Sequence, residues 1–125
     1  MSMNPTVAKL VAVADEHLSL SAAELEVLLD HAWTETGLID QVPVRGSRSE
    51  FWHSVRDDLV KRATAVRDDV MKTAAANRDT VSVVTAMMAT DVLDWAKTQG
   101  IPTDKYEYPL GLLVAWVTLA MLRRR

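Results

Sequence analysis

Two pairs of adjacent aspartates are the residues in this sequence best suited to binding a metal ion. They are Asp57-Asp58 and Asp68-Asp69, and carboxylate oxygens are common ligands of Mg²⁺ and of di-iron centres. Helical di-iron sites, however, draw inward-facing ligands from several helices, whereas both pairs belong to one predicted helix. A lysine follows Asp57 and Asp68 at the favourable distance of four residues. We therefore interpret the aspartates as an exposed, ion-paired helix face and predict no metal site.

His31 and Glu35 are the other pair whose spacing suits chemistry. Residues four apart lie on one face of a helix, so this pair could supply two ligands of a zinc site. Such a site needs three or four ligands, and the sequence identifies no further ones. Asp91 and Asp94 are three residues apart and have no neighbouring ligand. We interpret these four side chains as surface or boundary residues.

Covalent catalysis and phosphate binding have no recognisable motif in this chain. No serine lies in a nucleophile elbow, the four glycines stand alone, and cysteine is absent. We therefore predict no catalytic residue, no metal and no cofactor. The alternative is a small helical-bundle enzyme or ligand-binding protein, with a buried polar site among the second to fourth predicted helices. A closed pocket with converging side chains of His31, Glu35 or Asp91 would favour this alternative.

Composition predicts a single globular domain over residues 1–125. The chain is 49% hydrophobic and 25% charged, with a net charge of −3 and a pI near 5.5. Nucleic-acid binding is not expected, because its affinity depends on a basic face. The absence of cysteine fits a reducing compartment, so we expect a cytoplasmic protein. The usage of Ala, Val, Asp and Arg is typical of a bacterial or phage protein.

Helical periodicity and end signals predict an all-α bundle of about five helices. Pro5 after Asn4 suits a helix start, and Ser21 with Glu24 has the spacing of a capping box. A loop of about ten residues follows Gly37, because Pro43 and Gly46 interrupt the periodicity. The predicted helices span about 5–18, 21–36, 48–76, 79–98 and 109–123.

The apolar run from Leu110 to Leu122, followed by three arginines, decides the architecture. Thirteen helical residues span roughly 20 Å, whereas a bilayer core is about 30 Å thick and needs about 20 residues. We therefore predict an apolar C-terminal helix at the centre of the bundle, with cations that complement its dipole. A helix buried partly by a second chain is the alternative, and we do not expect membrane contact.

The third predicted helix carries a candidate partner-binding ridge outside its core stripe. The segment Val55–Lys61 returns as Val66–Lys72, and equivalent residues of an eleven-residue repeat stay on one helix face. This repeat places Val60 with Met71, flanked by Arg56 and Arg67. Methionine and arginine are enriched at protein interfaces.

Two further segments are candidate contacts. The fourth predicted helix is apolar on two sides, so Val83 and Met87 either face another chain or lie between neighbouring helices. Tyr106 and Tyr108 are amphipathic residues in a predicted loop before Pro109, and their rings either bind a partner or fold back onto the bundle. Together these residues predict a non-catalytic protein–protein interaction or assembly module, as a monomer or a homo-oligomer.

Overall fold

A computed structural model describes residues 4–42, 46–75 and 80–123, apart from the side chains of residues 63–75, 80 and 123. In this part of the chain every regular element is a helix, and the predicted all-α fold is confirmed. The helices are α1 (Pro5–His17), α2 (Ala22–Glu35), α3 (Leu38–Gln41), α4 (Arg48–Ala75), α5 (Thr80–Thr98) and α6 (Glu107–Arg123). The third, fourth and fifth predicted helices are thus α4, α5 and α6.

Side-chain caps fix where the first two helices begin. Asn4 Oδ1 accepts hydrogen bonds from the backbone N–H groups of Thr6 at 2.8 Å and of Val7 at 3.4 Å. Ser21 Oγ accepts from the Glu24 N–H, and the Glu24 carboxylate accepts from the Ser21 N–H. Both groups of the predicted capping box are therefore paired, which satisfies N–H groups that have no partner within the helix.

The short helix α3 lies in a segment that the sequence predicted to be a loop. Gly37 ends α2 with a φ of 79°, a left-handed conformation that glycine adopts without strain. The next residue, Leu38, is fully buried, and its carbonyl accepts from the Val42 N–H at 2.9 Å. Burial of Leu38 holds one helical turn that local sequence signals do not predict.

The last helix also differs from the prediction, because it begins at Glu107 and not at Pro109. Proline is tolerated in the first turn of a helix, where its missing N–H would have no partner within the helix. The Leu110 N–H donates to the Tyr106 carbonyl at 3.2 Å, which closes that first turn around Pro109. The predicted loop that ends in the two tyrosines is therefore shorter than expected.

Helix α6 lies at the centre of the bundle, as predicted. It packs against α1, α2, α4 and α5, and every residue from Leu110 to Thr118 is buried. A helix that is apolar on all sides is stable only when neighbours surround it. The apolar run is thus explained by burial within this domain. None of the described helices is both long and apolar enough to cross a membrane.

Candidate functional site

An open cleft of about 390 Å³ lies between the middle of α2 and the start of α4. The α2 residues at the cleft are outside its core stripe, which consists of Leu25, Leu29, Ala32 and Trp33. This stripe turns one face of α2 inward and leaves the opposite face at the surface. The cleft is lined by Glu26, Val27, Asp30, His31, Thr34, Arg48, Ser49 and Trp52.

Trp52 is the aromatic residue that lines this α2–α4 cleft, and it packs against two further aromatic rings. Trp52 is fully buried and meets Trp33 and Phe51 edge to face, with ring centroids 4.8 and 4.9 Å apart. Such pairs stabilise an arrangement beyond the apolar area they bury. The Trp33 Nε1–H donates to the Val42 carbonyl at 3.3 Å. The buried Trp52 Nε1–H has no acceptor among the described residues.

A polar network connects the two walls of the cleft. Arg48 Nη1 donates to Asp30 Oδ2 at 3.0 Å and to Thr34 Oγ1 at 3.2 Å. Ser49 Oγ donates to Glu26 Oε1 at 3.1 Å, and His53 Nε2 lies 3.4 Å from the same oxygen. Both carboxylates of the α2 wall thus contact α4, which fixes the side chains that border the cleft.

The Ser49–Glu26–His53 cluster does not have the order of a catalytic triad. In a triad the imidazole lies between the hydroxyl and the carboxylate, so it can take the hydroxyl proton. Here the carboxylate lies between the other two groups, and the His53 ring meets the edge of Trp116 with centroids 5.4 Å apart. This geometry does not activate Ser49 through His53.

His31 and Glu35 form the pair expected from their spacing, with Nε2 and Oε1 2.8 Å apart. Both side chains are about two-thirds exposed, at 66% and 65%. Asp91 is on α5, outside the cleft lining, so these three residues do not converge. Within the described side chains no group of three or more His, Asp and Glu residues could hold a metal ion.

Sequence reasoning overlooked one motif at this place. Glu50 and His53 have the Glu-x-x-His spacing that di-iron bundles use. In the structure Glu50 is exposed at the start of α4, whereas His53 pairs with Glu26 of α2. The motif therefore does not supply two ligands to one site.

Part of the predicted ridge on α4 contributes to the core. Val60 is buried, with 2% of its surface exposed, and so is not presented to a partner. The Arg56 guanidinium lies over the Trp116 ring, 5.1 Å from its centroid. Because α4 packs against both α5 and α6, it buries a wider arc than one stripe. The side chains of Arg67 and Met71 lie outside the described residues.

The two candidate contacts beyond α4 differ in exposure. Val83 and Met87 are half-buried on α5, so the helix is partly covered on that side. Tyr106 is buried, and its hydroxyl accepts a hydrogen bond from Gln41 Nε2. Tyr108 remains 45% exposed, and its ring lies edge to face with His17, 5.9 Å between centroids. Of the two rings, only Tyr108 offers surface to a partner.

The cleft itself did not emerge from the sequence, although one signal pointed to it. Val27 lies off the core stripe of its helix and is 69% exposed. The sequence signal was thus a valine on the otherwise polar face of α2. Comparisons with protein-family models, curated proteins and solved structures found no match to this chain. The function is therefore inferred from the cleft and its surroundings.

Proposed function

We propose that this protein is a non-catalytic helical interaction module that binds another protein at the α2–α4 cleft. The observation that carries the proposal is Val27, an apolar side chain 69% exposed beside the cleft. Single exposed apolar residues are common on proteins. This one lines the concave α2–α4 cleft among polar side chains, and apolar surface with a polar rim is typical of binding sites.

The apolar character of the buried side chains supports a role in surface binding over catalysis. Within the described part of the chain, the buried side chains are apolar apart from Thr85 and Thr118. No buried acid or base is among them, and catalytic groups are commonly tuned by burial and by neighbouring charges. Chemistry would therefore have to use the exposed groups of the cleft, whose serine is not paired with a histidine.

Polar order in the cleft supports recognition of a partner with defined geometry. Arg48 holds Asp30, and Ser49 with His53 holds Glu26. Side chains held in this way lose less conformational freedom when a partner binds. The cleft therefore combines an exposed apolar contact with polar groups that already have fixed positions.

A small polar ligand is the second candidate, and the cleft volume of about 390 Å³ favours it. Ligand pockets of about 300–1,000 Å³ are usual. Such a ligand would meet His31, Thr34 and Arg48 at the rim. The openness of the cleft and the exposure of the His31–Glu35 pair favour the protein partner.

Photo-crosslinking in the native host tests the proposal. A benzophenone amino acid at Val27 should capture one specific protein, whereas the same group at exposed Lys97 of α5 should not. The captured protein is then purified, and its affinity is measured by calorimetry for the wild type and for Val27→Asp. Binding that Val27→Asp abolishes supports the proposal, and equal affinity of both forms overturns it.

Self-association is the other form that an assembly module can take. Sedimentation equilibrium of the purified protein measures it directly. A dimer that Val27→Asp dissociates would show that the cleft binds a second copy of this chain. The calorimetric and sedimentation results together distinguish a hetero-partner from a homo-oligomer.

A further inference from the structure

We infer that the partner of the α2–α4 cleft presents a cationic segment, with lysine or arginine side chains around one apolar residue. This inference rests on the proposed function and names the chemistry of the partner. The charges around Val27, on α2 and α4, favour a partner of this kind.

Helix α2 carries acidic side chains and no lysine or arginine. Its acids are Glu24, Glu26, Asp30 and Glu35. A single sign of charge concentrated on one element attracts segments of the opposite sign and repels segments of its own. The helix that carries Val27 therefore selects against acidic partners.

The acids lie on both sides of Val27. Helical geometry places Glu26 and Asp30 on the side of Val27 that faces α4, where both contact α4 residues. The same geometry places Glu24 and Glu35 on the other side of Val27. An apolar residue docked on Val27 would thus have carboxylates on either flank, with Glu24, Glu26 and Asp30 within one helical turn of Val27 and Glu35 about two turns away, which suits cations at these distances.

Among the described residues Arg48 is the lysine or arginine that lines the cleft, and it is already engaged. Its guanidinium bonds to Asp30 and Thr34, and its side chain is 48% exposed. It neutralises one of the four carboxylates, while Glu26 and Glu35 have histidine partners. Arg48 therefore competes with an incoming cation, so its removal should strengthen the binding of a cationic segment.

Fluorescence anisotropy with designed peptides tests the inference. The probe is a short labelled peptide of leucine and lysine in an amphipathic helical pattern, and its matched controls replace lysine by glutamate or leucine by serine. The leucine–lysine peptide should bind, and both controls should bind at least about tenfold more weakly, because each control removes one of the two attractions.

Protein variants locate the binding. Glu26→Gln with Glu35→Gln should weaken the leucine–lysine peptide about 5- to 30-fold at low salt. Arg48→Gln should strengthen binding about two- to fivefold, because it frees Asp30. Asp15→Asn with Asp94→Asn removes the same charge from exposed positions on α1 and α5, and it should change affinity by less than about twofold.

Three outcomes would overturn the inference. One is weaker binding of the leucine–lysine peptide to Arg48→Gln, which would show that the peptide does not compete with Arg48 for Asp30. Another is an equal loss of affinity in the Asp15/Asp94 control, which would indicate only the net charge of the protein. The third is a dimer that Val27→Asp dissociates, because a second copy of this chain would then occupy the cleft in place of a separate cationic partner. If the crosslinked partner still requires Val27 while the leucine–lysine peptide does not bind, the partner chemistry is wrong and the proposed function stands.

Discussion

Gly111 of α6 lies directly against Val13 of α1, with no room for a side chain between the two helices. A Cβ atom built on Gly111 would overlap the Val13 side chain at distances that real carbon atoms do not reach. Glycine is therefore required here for close approach and not for an unusual backbone conformation. The contact joins the central helix to the first helix of the bundle.

Substitution of Gly111 by alanine should destabilise the protein by about 1–3 kcal/mol, because overpacking forces side chains or backbone to move. Glycine-to-alanine changes inside helices otherwise tend to stabilise, so the sign of the effect is informative. Chemical denaturation measures it. The overlap includes the Val13 Cβ, which alanine would keep, so the informative double variant is Gly111→Ala with Val13→Gly. Its loss of stability should be smaller than the sum of the two single losses, and additive losses would contradict a direct clash.

Local signals in the sequence predicted the elements that depend on local interactions. The capping box of Ser21 and Glu24 forms as expected, because a cap involves residues three apart. The long apolar run also predicted a central α6, because a helix that is apolar on all sides must be surrounded by other helices. Leu38 could not be placed in a helical turn in the same way, because tertiary burial and not propensity holds that turn.

The candidate site was less predictable, since it depends on where α2 and α4 meet. Arg48 and Asp30 are 18 residues apart in the sequence, and Ser49 and Glu26 are 23 apart. Their contacts follow from how the two helices pack, and helical periodicity does not determine that geometry. Val60 is a second example. The periodic pattern predicted one buried stripe on α4, but α4 packs against two helices, α5 and α6, and Val60 is buried as well.

Trp116 is the next test of the core. The residue is 1% exposed and lies in the middle of α6, so Trp116→Ala should leave a cavity and cost about 3–5 kcal/mol of unfolding free energy. Thermal denaturation followed by circular dichroism measures the change. Tyr108→Ala, at a 45% exposed position of the same helix, is the control and should cost less than half as much.

Arg56 should stabilise the fold through a cation–π contact with the face of the Trp116 ring. Its guanidinium is 5.1 Å from the ring centroid and its side chain is 27% exposed, where a cation–π contact contributes about 0.5–2 kcal/mol. Arg56→Gln should therefore lower the unfolding free energy by about that amount. The matched change Arg62→Gln, at an exposed position of α4, should have little effect. Equal losses in the two variants would rule out a specific role for the ring.

Thr118 and Thr85 offer the most direct comparison of a satisfied and an unsatisfied buried hydroxyl. Both residues are fully buried. Thr85 Oγ1 donates to the Val81 carbonyl at 2.7 Å, whereas Thr118 Oγ1 has no partner among the described residues. An unpaired buried hydroxyl costs about 1–3 kcal/mol, and valine has nearly the same shape without that cost.

Thr118→Val should therefore raise the unfolding free energy by about 1 kcal/mol or more, while Thr85→Val should leave it unchanged or lower it. Urea denaturation of both variants measures the two differences under identical conditions. Unequal slopes of the unfolding transitions would show a change in the denatured state, so equal slopes are required for the comparison. A loss of stability in Thr118→Val comparable to that in Thr85→Val would mean that the Thr118 hydroxyl is paired, most simply by a buried water molecule.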